Sequence, residues 1–173
     1  MKIEIEKWTV HELELTPEKL NSMWEMLQRY KSLFSDHNRG DKEGWVNYIT
    51  SPDTYWLEVC EDGIPVGMIY FEGFDKGTEL LGHMVYYDRK PAEKLEVTRA
   101  ILQFMFENFP IQRVSVEIPH MYYATDRLLG RLGFRKEGRK RQAVLLGGSW
   151  KDTILYGLLR SDIWAVSEKQ SAG

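Results

Sequence analysis

Cysteine is nearly absent from this 173-residue chain: Cys60 stands alone, and only four histidines accompany it. No internal disulfide framework can form, and one thiol with scattered imidazoles supplies no zinc-ligand spacing, so no metal centre is expected. Long apolar runs are missing too, none approaching the ~20 residues that a membrane-spanning helix needs. Met1-Lys2-Ile3-Glu4 lacks the basic-then-apolar build of a secretory signal, which points to a reducing, cytoplasmic setting. Charge of one sign is also in short supply. A formal net charge of −3 exerts no general pull toward nucleic acid or an anionic membrane, and neither is an expected partner.

What is present is core material. The chain is 43% hydrophobic and 13% aromatic, and a compact domain of this length buries ~70% of the surface its unfolded chain exposes. No repeat or low-complexity linker divides it. One domain is expected over residues 1–165, followed by a frayed tail over 166–173.

Periodicity outlines the elements. Trp8 to Leu15 alternates loosely and suits a first strand. Thr16-Pro17 supplies an N-cap and a first helical residue, because proline there forfeits no needed N–H. Leu20, Met23, Trp24, Leu27, Tyr30, Lys31 and Phe34 follow at helical spacing, and Trp45, Tyr48 and Ile49 mark a second short helix after a polar loop. Thr54 to Cys60, the turn Glu61-Asp62-Gly63 and Ile64 to Phe71 read as a hairpin. Glu79 to Tyr87 is a third strand, entered from the turn around Asp75-Lys76-Gly77. Pro91 opens a helix whose face is Val97, Ile101, Phe104, Met105 and Phe109. Arg113 to Ile118 is a strand, Tyr123 to Leu132 a helix closed by Gly133, and Phe134 to Leu146 and Trp150 to Leu159 form a closing hairpin around Gly147-Gly148. The strand–helix–strand unit over 79–118 requires a right-handed crossover between parallel neighbours, while the flanking hairpins are antiparallel. The expected fold is α/β, with a mixed, mainly antiparallel sheet of six to seven strands, helices on both faces, and 79–87 beside 112–118 as its parallel pair.

Two blocks carry a resemblance. Leu-Gly-Phe-Arg-Lys-Glu-Gly (132–138) is followed by Arg-Gln-Ala-Val-Leu-Leu-Gly-Gly-Ser-Trp-Lys-Asp-Thr-Ile-Leu-Tyr-Gly-Leu-Leu (141–159). With the helix before them they resemble the GNAT superfamily of acyl-CoA-dependent N-acetyltransferases, nearest the branch that acetylates ribosomal-protein N-termini and small amines. The resemblance spans about residues 5–164. It implies acetyl-CoA as acyl donor, an amine acceptor, and a parallel strand pair that splays to admit the pantetheine arm.

The same resemblance exposes departures. The family's R/Q-x-x-G-x-G/A cofactor motif falls on Arg89-Lys90-Pro91-Ala92-Glu93-Lys94, with the arginine kept and both glycines replaced. Glycine lets the backbone approach a pyrophosphate closely, so that N–H groups and the helix N-terminus meet its charge. Arg89, Lys90, Ala92 and Lys94 are the candidate phosphate-binding residues. Lys94 is read two ways there, as an added cation or as an obstruction. The family's thiolate-reprotonating pair, an Asn and a Tyr seven residues later, falls on Tyr122 and Leu129. Leu129 has no proton to give, which leaves Tyr122, Tyr123, Tyr86, Tyr87 or water.

For the acceptor, an α-amino group of pKa about 8 is ~10% neutral at pH 7, whereas a lysine amine is about 0.04% neutral. Glu79 is the candidate general base that the resemblance implies. His83, four residues on and therefore on the same strand face, is the second. A main-chain N–H near Met84 or Val85 is expected to polarise the thioester carbonyl. Asp36, His37 and Arg39 lie in the loop that borders the acceptor pocket in similar proteins. The cluster Arg131, Arg135, Lys136, Arg139, Lys140 and Arg141 is interrupted by Glu137 and lacks aromatic interleaving, so it reads as a solvated strand face. Cys60 reads as an inert buried thiol. Two readings stay open: an acetyl-CoA-dependent N-acetyltransferase acting on a peptide N-terminus or small amine, and a GNAT-fold binding or assembly module that has lost efficient acetyl-CoA binding. A homodimer and the acceptor's identity are left open as well.

Overall fold

The computed structural model describes residues 2–29, 35–36, 40–74, 77–87 and 90–163, without the Ala92 side chain. Tyr30, Lys31, Phe34, His37, Arg39, Asp75, Lys76, Arg89 and the tail 166–173 therefore lie outside the described residues. The elements run β1 (Lys2–Ile5), β2 (Trp8–Glu12), α1 (Pro17–Arg29), α2 (Lys42–Ile49), β3 (Thr54–Glu61), β4 (Ile64–Glu72), β5 (Glu79–Tyr86), a 3-10 turn (Pro91–Lys94), α3 (Leu95–Asn108), β6 (Arg113–Pro119), α4 (Tyr123–Leu132), β7 (Arg135–Leu146) and β8 (Ser149–Leu159). None of the described helices is long and apolar enough to cross a membrane.

One sheet holds all eight strands in the order β1-β2-β3-β4-β5-β6-β8-β7. Every pairing is antiparallel except β5 with β6. The mixed, mainly antiparallel architecture is as expected, with one strand more than the upper count. That strand is β1, which pairs with β2 around Glu6, at φ 51°. Its Ile3 and Ile5 pack against the core while Lys2 and Glu4 face solvent, a two-residue alternation that the expected elements did not include. The expected strand over 8–15 is shorter, since pairing as strand ends at Glu12. Leu13 keeps one more bond, its N–H donating to the Trp56 carbonyl at 2.9 Å.

The sheet separates two cores. Leu80, Tyr86, Val114, Val116 and Leu158 pack on one face with Ile101, Met105 and Phe106 of α3 and Leu128, Leu129 and Leu132 of α4. Trp56, Met68, Tyr70 and Val85 pack on the other with Met23 and Leu27 of α1 and Trp45 and Ile49 of α2. This alternation along β5 follows from the two-residue period of a strand. Helix α4 closes as the sequence predicts: Gly133 takes φ 96°, and its N–H and that of Phe134 reach back to the Gly130 and Leu129 carbonyls. Such a left-handed terminus strongly favours glycine. The helix expected from Pro91 instead begins as a 3-10 turn, and α-helical bonding starts at Leu95.

Four of the five basic residues of β7 meet carboxylates. Arg135 pairs with Asp162, Lys136 with Asp126, Arg139 with Asp152 and Lys140 with Glu117. Arg113 of β6 forks onto Glu137 of β7 across the intervening β8. The fork passes over Gly157, where an added Cβ would fall 2.4 Å from Glu137 Oε1 and 2.5 Å from Arg113 Nη2. Gly157→Ala is therefore expected to destabilise the fold by about 1–3 kcal/mol, the usual cost of overpacking, as measured by urea denaturation. In an Arg113→Ala, Glu137→Ala background, where the fork is gone, most of that cost should vanish.

Candidate active site

The decisive geometry lies between β5 and β6. Only three residue pairs form their parallel ladder, Glu79 with Arg113, Leu80 with Val114 and Leu81 with Ser115. Beyond them β5 stays paired to β4 as far as Tyr86, and β6 stays paired to β8 as far as Pro119. The two strands diverge, and a cavity of about 1010 Å³ opens at the divergence. Its walls are Leu81 to Tyr86 of β5, Val116 to Pro119 of β6, and Met121 to Thr125 at the start of α4. Trp45, Tyr48 and Tyr70 line it from the α2 side, and Ala143, Val144 and Leu146 from the β7–β8 hairpin.

Strand alternation decides which main-chain groups face this opening. The Tyr87 N–H donates to the Val66 carbonyl on β4, and the Thr78 carbonyl accepts from the Gln112 N–H beside β6. Groups of His83 and Val85 therefore point to β4, while those of Gly82, Met84 and Tyr86 point toward β6 past the last shared rung. Of the two residues expected to offer a carbonyl-polarising N–H, Met84 faces the opening and Val85 is turned to β4.

His83 is fixed from two sides. Its ring stacks on Tyr70, with centroids 4.3 Å apart and planes 7° from parallel, and Tyr70 stacks on Trp56 at 3.9 Å. These three are direct cross-strand neighbours on β5, β4 and β3. Nε2 of His83 lies 2.8 Å from Glu72 Oε1, and Glu72 Oε2 accepts from the Tyr48 hydroxyl at 3.0 Å. The His83 bond holds the Glu72 carboxyl below its ordinary range, so Glu72 is ionised at neutral pH and accepts a hydrogen bond from His83 Nε2–H, leaving Nδ1 with the ring's lone pair. Burial pushes the Tyr48 phenol up to about 12, keeping it a neutral donor. Glu72 was not among the residues picked from the sequence. The signal was its place on β4, diagonal to His83 in the β4–β5 register.

Glu79 is placed differently from its expected role. It opens β5 where β5 and β6 are still joined, accepts from Arg113 Nε at 3.1 Å and from the Ser115 hydroxyl, and is about half exposed at 53%. It shares a face with His83 but sits ~13 Å away along the strand, and it does not line the cavity. Glu79, the expected base, lies in this structure in an ion-pair network at the closed end of the strand pair.

Lys94, expected in the phosphate loop, is placed away from the cavity. The side chain is 1% exposed and turns into the fold, its ammonium 3.8 Å from Glu61 and 5.1 Å above the Trp8 ring. Neither Glu61 nor Trp8 lines the cavity. The ammonium follows the Glu61 carboxylate and the Trp8 face because both meet a charge that burial would otherwise penalise. The Lys94 ammonium is thus directed toward Glu61 and Trp8 rather than toward the cavity. Lys90 remains at the surface, 3.6 Å from Glu93, and Pro91 lines the cavity.

Among the phenols, Tyr122 and Tyr123 line the cavity at the start of α4. Tyr86 lines it too, but the Thr98 hydroxyl gives its proton to the Lys94 carbonyl, so the Tyr86 hydroxyl, 2.7 Å from Thr98 Oγ1, donates to Thr98. Tyr87 does not line the cavity, and burial raises its phenol to about 12. Leu129 is fully buried in the core. Asp36 clasps the hairpin tip, accepting from the Gly147 and Gly148 N–H groups at 3.1 and 2.7 Å, which ties the α1–α2 connection to the hairpin wall of the cavity.

No protein-family model matches the chain. An uncharacterized SPbeta prophage-derived N-acetyltransferase, YokL, of Bacillus subtilis is 27% identical over 143 residues, 80% of each chain. The [ribosomal protein uS5]-alanine N-acetyltransferase of Escherichia coli is 35% identical over 68 residues, 39% of this chain and 34% of that one. Among solved structures, a GCN5-related N-acetyltransferase from Brucella melitensis superposes with a TM-score of 0.73 at 21% identity, covering 99% of this chain and 84% of that one. A spermidine N-acetyltransferase from Vibrio cholerae, in complex with CoA and spermine, gives 0.72 at 12% identity, covering 91% and 98%. The fold is the GNAT fold, and the relatives are N-acetyltransferases.

The Lys94 geometry makes a test. Lys94→Met keeps the stem over Trp8 and leaves Glu61 its second partner, Lys7, so stability should stay near wild type. Lys94→Ala empties the buried site and should cost about 2–5 kcal/mol in thermal or urea unfolding. Calorimetry should find CoA affinity in Lys94→Met equal to wild type at both low and high salt.

Proposed function

We propose, for this chain of the GNAT fold with N-acetyltransferase relatives, that it transfers the acetyl group of acetyl-CoA to a primary amine, with a peptide N-terminus or a small amine as acceptor. The observation that carries the reading is the divergence of β5 and β6 after Leu81 and Ser115, with Met84 facing the opening and His83 on its wall. Acetyl-CoA supplies the thioester. Its pantetheine arm fits the slot between the strands, and the first N–H groups of α3, with Lys90 nearby, suit its phosphates.

The residues then divide the work. The Met84 N–H donates to the carbonyl oxygen as negative charge develops there. The His83 Nδ1 lone pair takes the proton that the amine loses on forming its new bond to the acyl carbon, and Glu72 holds the ring in that tautomer and offsets the imidazolium charge. The carbon–sulfur bond breaks, and the thiolate takes a proton from the Tyr122 hydroxyl or from water. Tyr48 and Trp45 close the acceptor side with aromatic surface, to which an ammonium group is attracted before it loses its proton.

The altered phosphate loop favours the second reading, a binding module. Pro91 contributes no N–H, and a lost hydrogen bond to a charged group costs about 1.5–3 kcal/mol, roughly 10- to 150-fold in affinity. Calorimetry with CoA followed by an acetylation assay with α-amino peptides and diamines separates the readings. Absence of heat at millimolar CoA leaves the module.

Given turnover, His83→Ala should lower kcat by roughly 10²–10⁴-fold, the usual general-base contribution, with little change in CoA affinity. Glu72→Gln should cause a smaller loss and shift the acid limb of the pH–rate profile, while Glu79→Gln should turn over like wild type. An unchanged kcat in His83→Ala removes the histidine from the mechanism.

A further inference from the structure

Away from the cavity, β2 and β3 bring together three donors of different kinds. His11 lies directly opposite Glu58 in the ladder and diagonal to Cys60. One ligand atom from each lies within 4.8 Å of the others. His11 Nε2 and Glu58 Oε2 are 3.3 Å apart, while Lys19 of α1 donates to the other carboxylate oxygen at 2.5 Å. Glu58 and Cys60 are buried, and His11 is 41% exposed at the mouth.

We propose that His11, Glu58 and Cys60 form a binding site for a thiophilic divalent cation of the zinc type, with the fourth coordination position open toward solvent. The donor set is an imidazole, a carboxylate and a thiolate, the three ligand classes zinc accepts. Metal–ligand bonds of about 2.0–2.3 Å place tetrahedral ligand atoms about 3.3–3.8 Å apart. The His11–Glu58 separation already has that value, and Cys60 reaches it with a shift of about 1 Å, within the range of a side-chain rotation. All three side chains stand on the face of the sheet that carries α1. The site lies outside the cavity lining and does not depend on the acetyl-transfer reading. Metal binding would cross-link β2 to β3 and displace the Lys19 ammonium from Glu58. Lys19 and the cation are therefore competitors, and the cation's uptake releases the thiol proton to solvent.

Cobalt(II) is the direct probe, since a thiolate ligand announces itself by a near-ultraviolet charge-transfer band. Titration of the reduced full chain is expected to produce that band with one equivalent of cobalt, and zinc should bleach it. Cys60→Ser should lose the band. His11→Ala, a change at an exposed position that leaves the fold intact by circular dichroism, should weaken binding by at least about 100-fold, the upper range for losing even an outer-shell partner. Lys19→Met should tighten it. The proposal is overturned by the absence of a band at saturating cobalt, or by a band that survives in Cys60→Ser. A band as tight in His11→Ala as in wild type would mean a solitary thiol, and an affinity unmoved by Lys19→Met would remove Glu58 from the ligand set; either also overturns the three-ligand site.

Discussion

Everything that gives this protein a place to do chemistry depends on one interrupted ladder. β5 and β6 share three pairs and then part, while each remains tied to an antiparallel partner on its outer side. The sheet thus becomes two stiff halves joined at one end. Peptide groups along the inner edges lose their sheet partners at a depth where an unpaired N–H or C=O is costly. The structure tolerates this only because the split faces a cavity that water or a ligand can fill. A thin chain with its own amide groups would satisfy such edges by continuing the ladder, which is the role proposed for the pantetheine arm.

The cross-strand stack on the α2 side turns that opening into a site with direction. Trp56, Tyr70 and His83 occupy adjacent positions on three neighbouring strands, so fixing one ring orients the next. Glu72 and Tyr48 complete the arrangement by giving the imidazole a defined tautomer. Because Glu72 is held below its ordinary range by the His83 bond, the stabilisation from this pair is present above the usual carboxylate range and is lost as pH falls through the lowered value. The same network that orders the histidine therefore weakens in acid.

How much of this was legible in the sequence varied with the reach of the interaction. Helix α3, the β3–β4 hairpin and the Gly133 terminus were readable because they rest on local period and turn chemistry. The parallel pairing of 79–87 with 112–118 followed from connection rules, and its divergence only from family resemblance. Side-chain direction was not legible. Lys94 in a polar tetrad reads as a solvent lysine, yet Glu61 and Trp8, more than thirty residues away, draw it inward. Glu79 looked like a base because it opened the right strand, but whether it reaches the cavity depended on Arg113 and Ser115 of another strand. Glu72 and the His11, Glu58 and Cys60 group were invisible for the same reason: their members meet through strand register, and no spacing rule for metal or catalytic residues spans separate strands.

The altered helix start shows how such long-range packing changes a binding argument. Judged by residue type alone, replacing two small residues by alanine and lysine crowds the approach of a pyrophosphate. Burial of the Lys94 side chain removes the larger part of that crowding, since only its backbone and Cβ remain near the helix start. The same burial withdraws the positive charge that was to compensate for the missing glycines. What stays for an anion is the dipole of α3, worth typically 0.3–1 kcal/mol per favourable charge at an exposed position, and the surface cation Lys90, already beside Glu93. Anchoring through Glu61 and Trp8 also ties the turn to β2 and β3, so the N–H groups are held in place before a ligand arrives and less ordering entropy opposes binding. The lysine read as a phosphate contact is thus a packing residue of the turn, and the stem it lays toward Trp8 is what joins the helix start to β2.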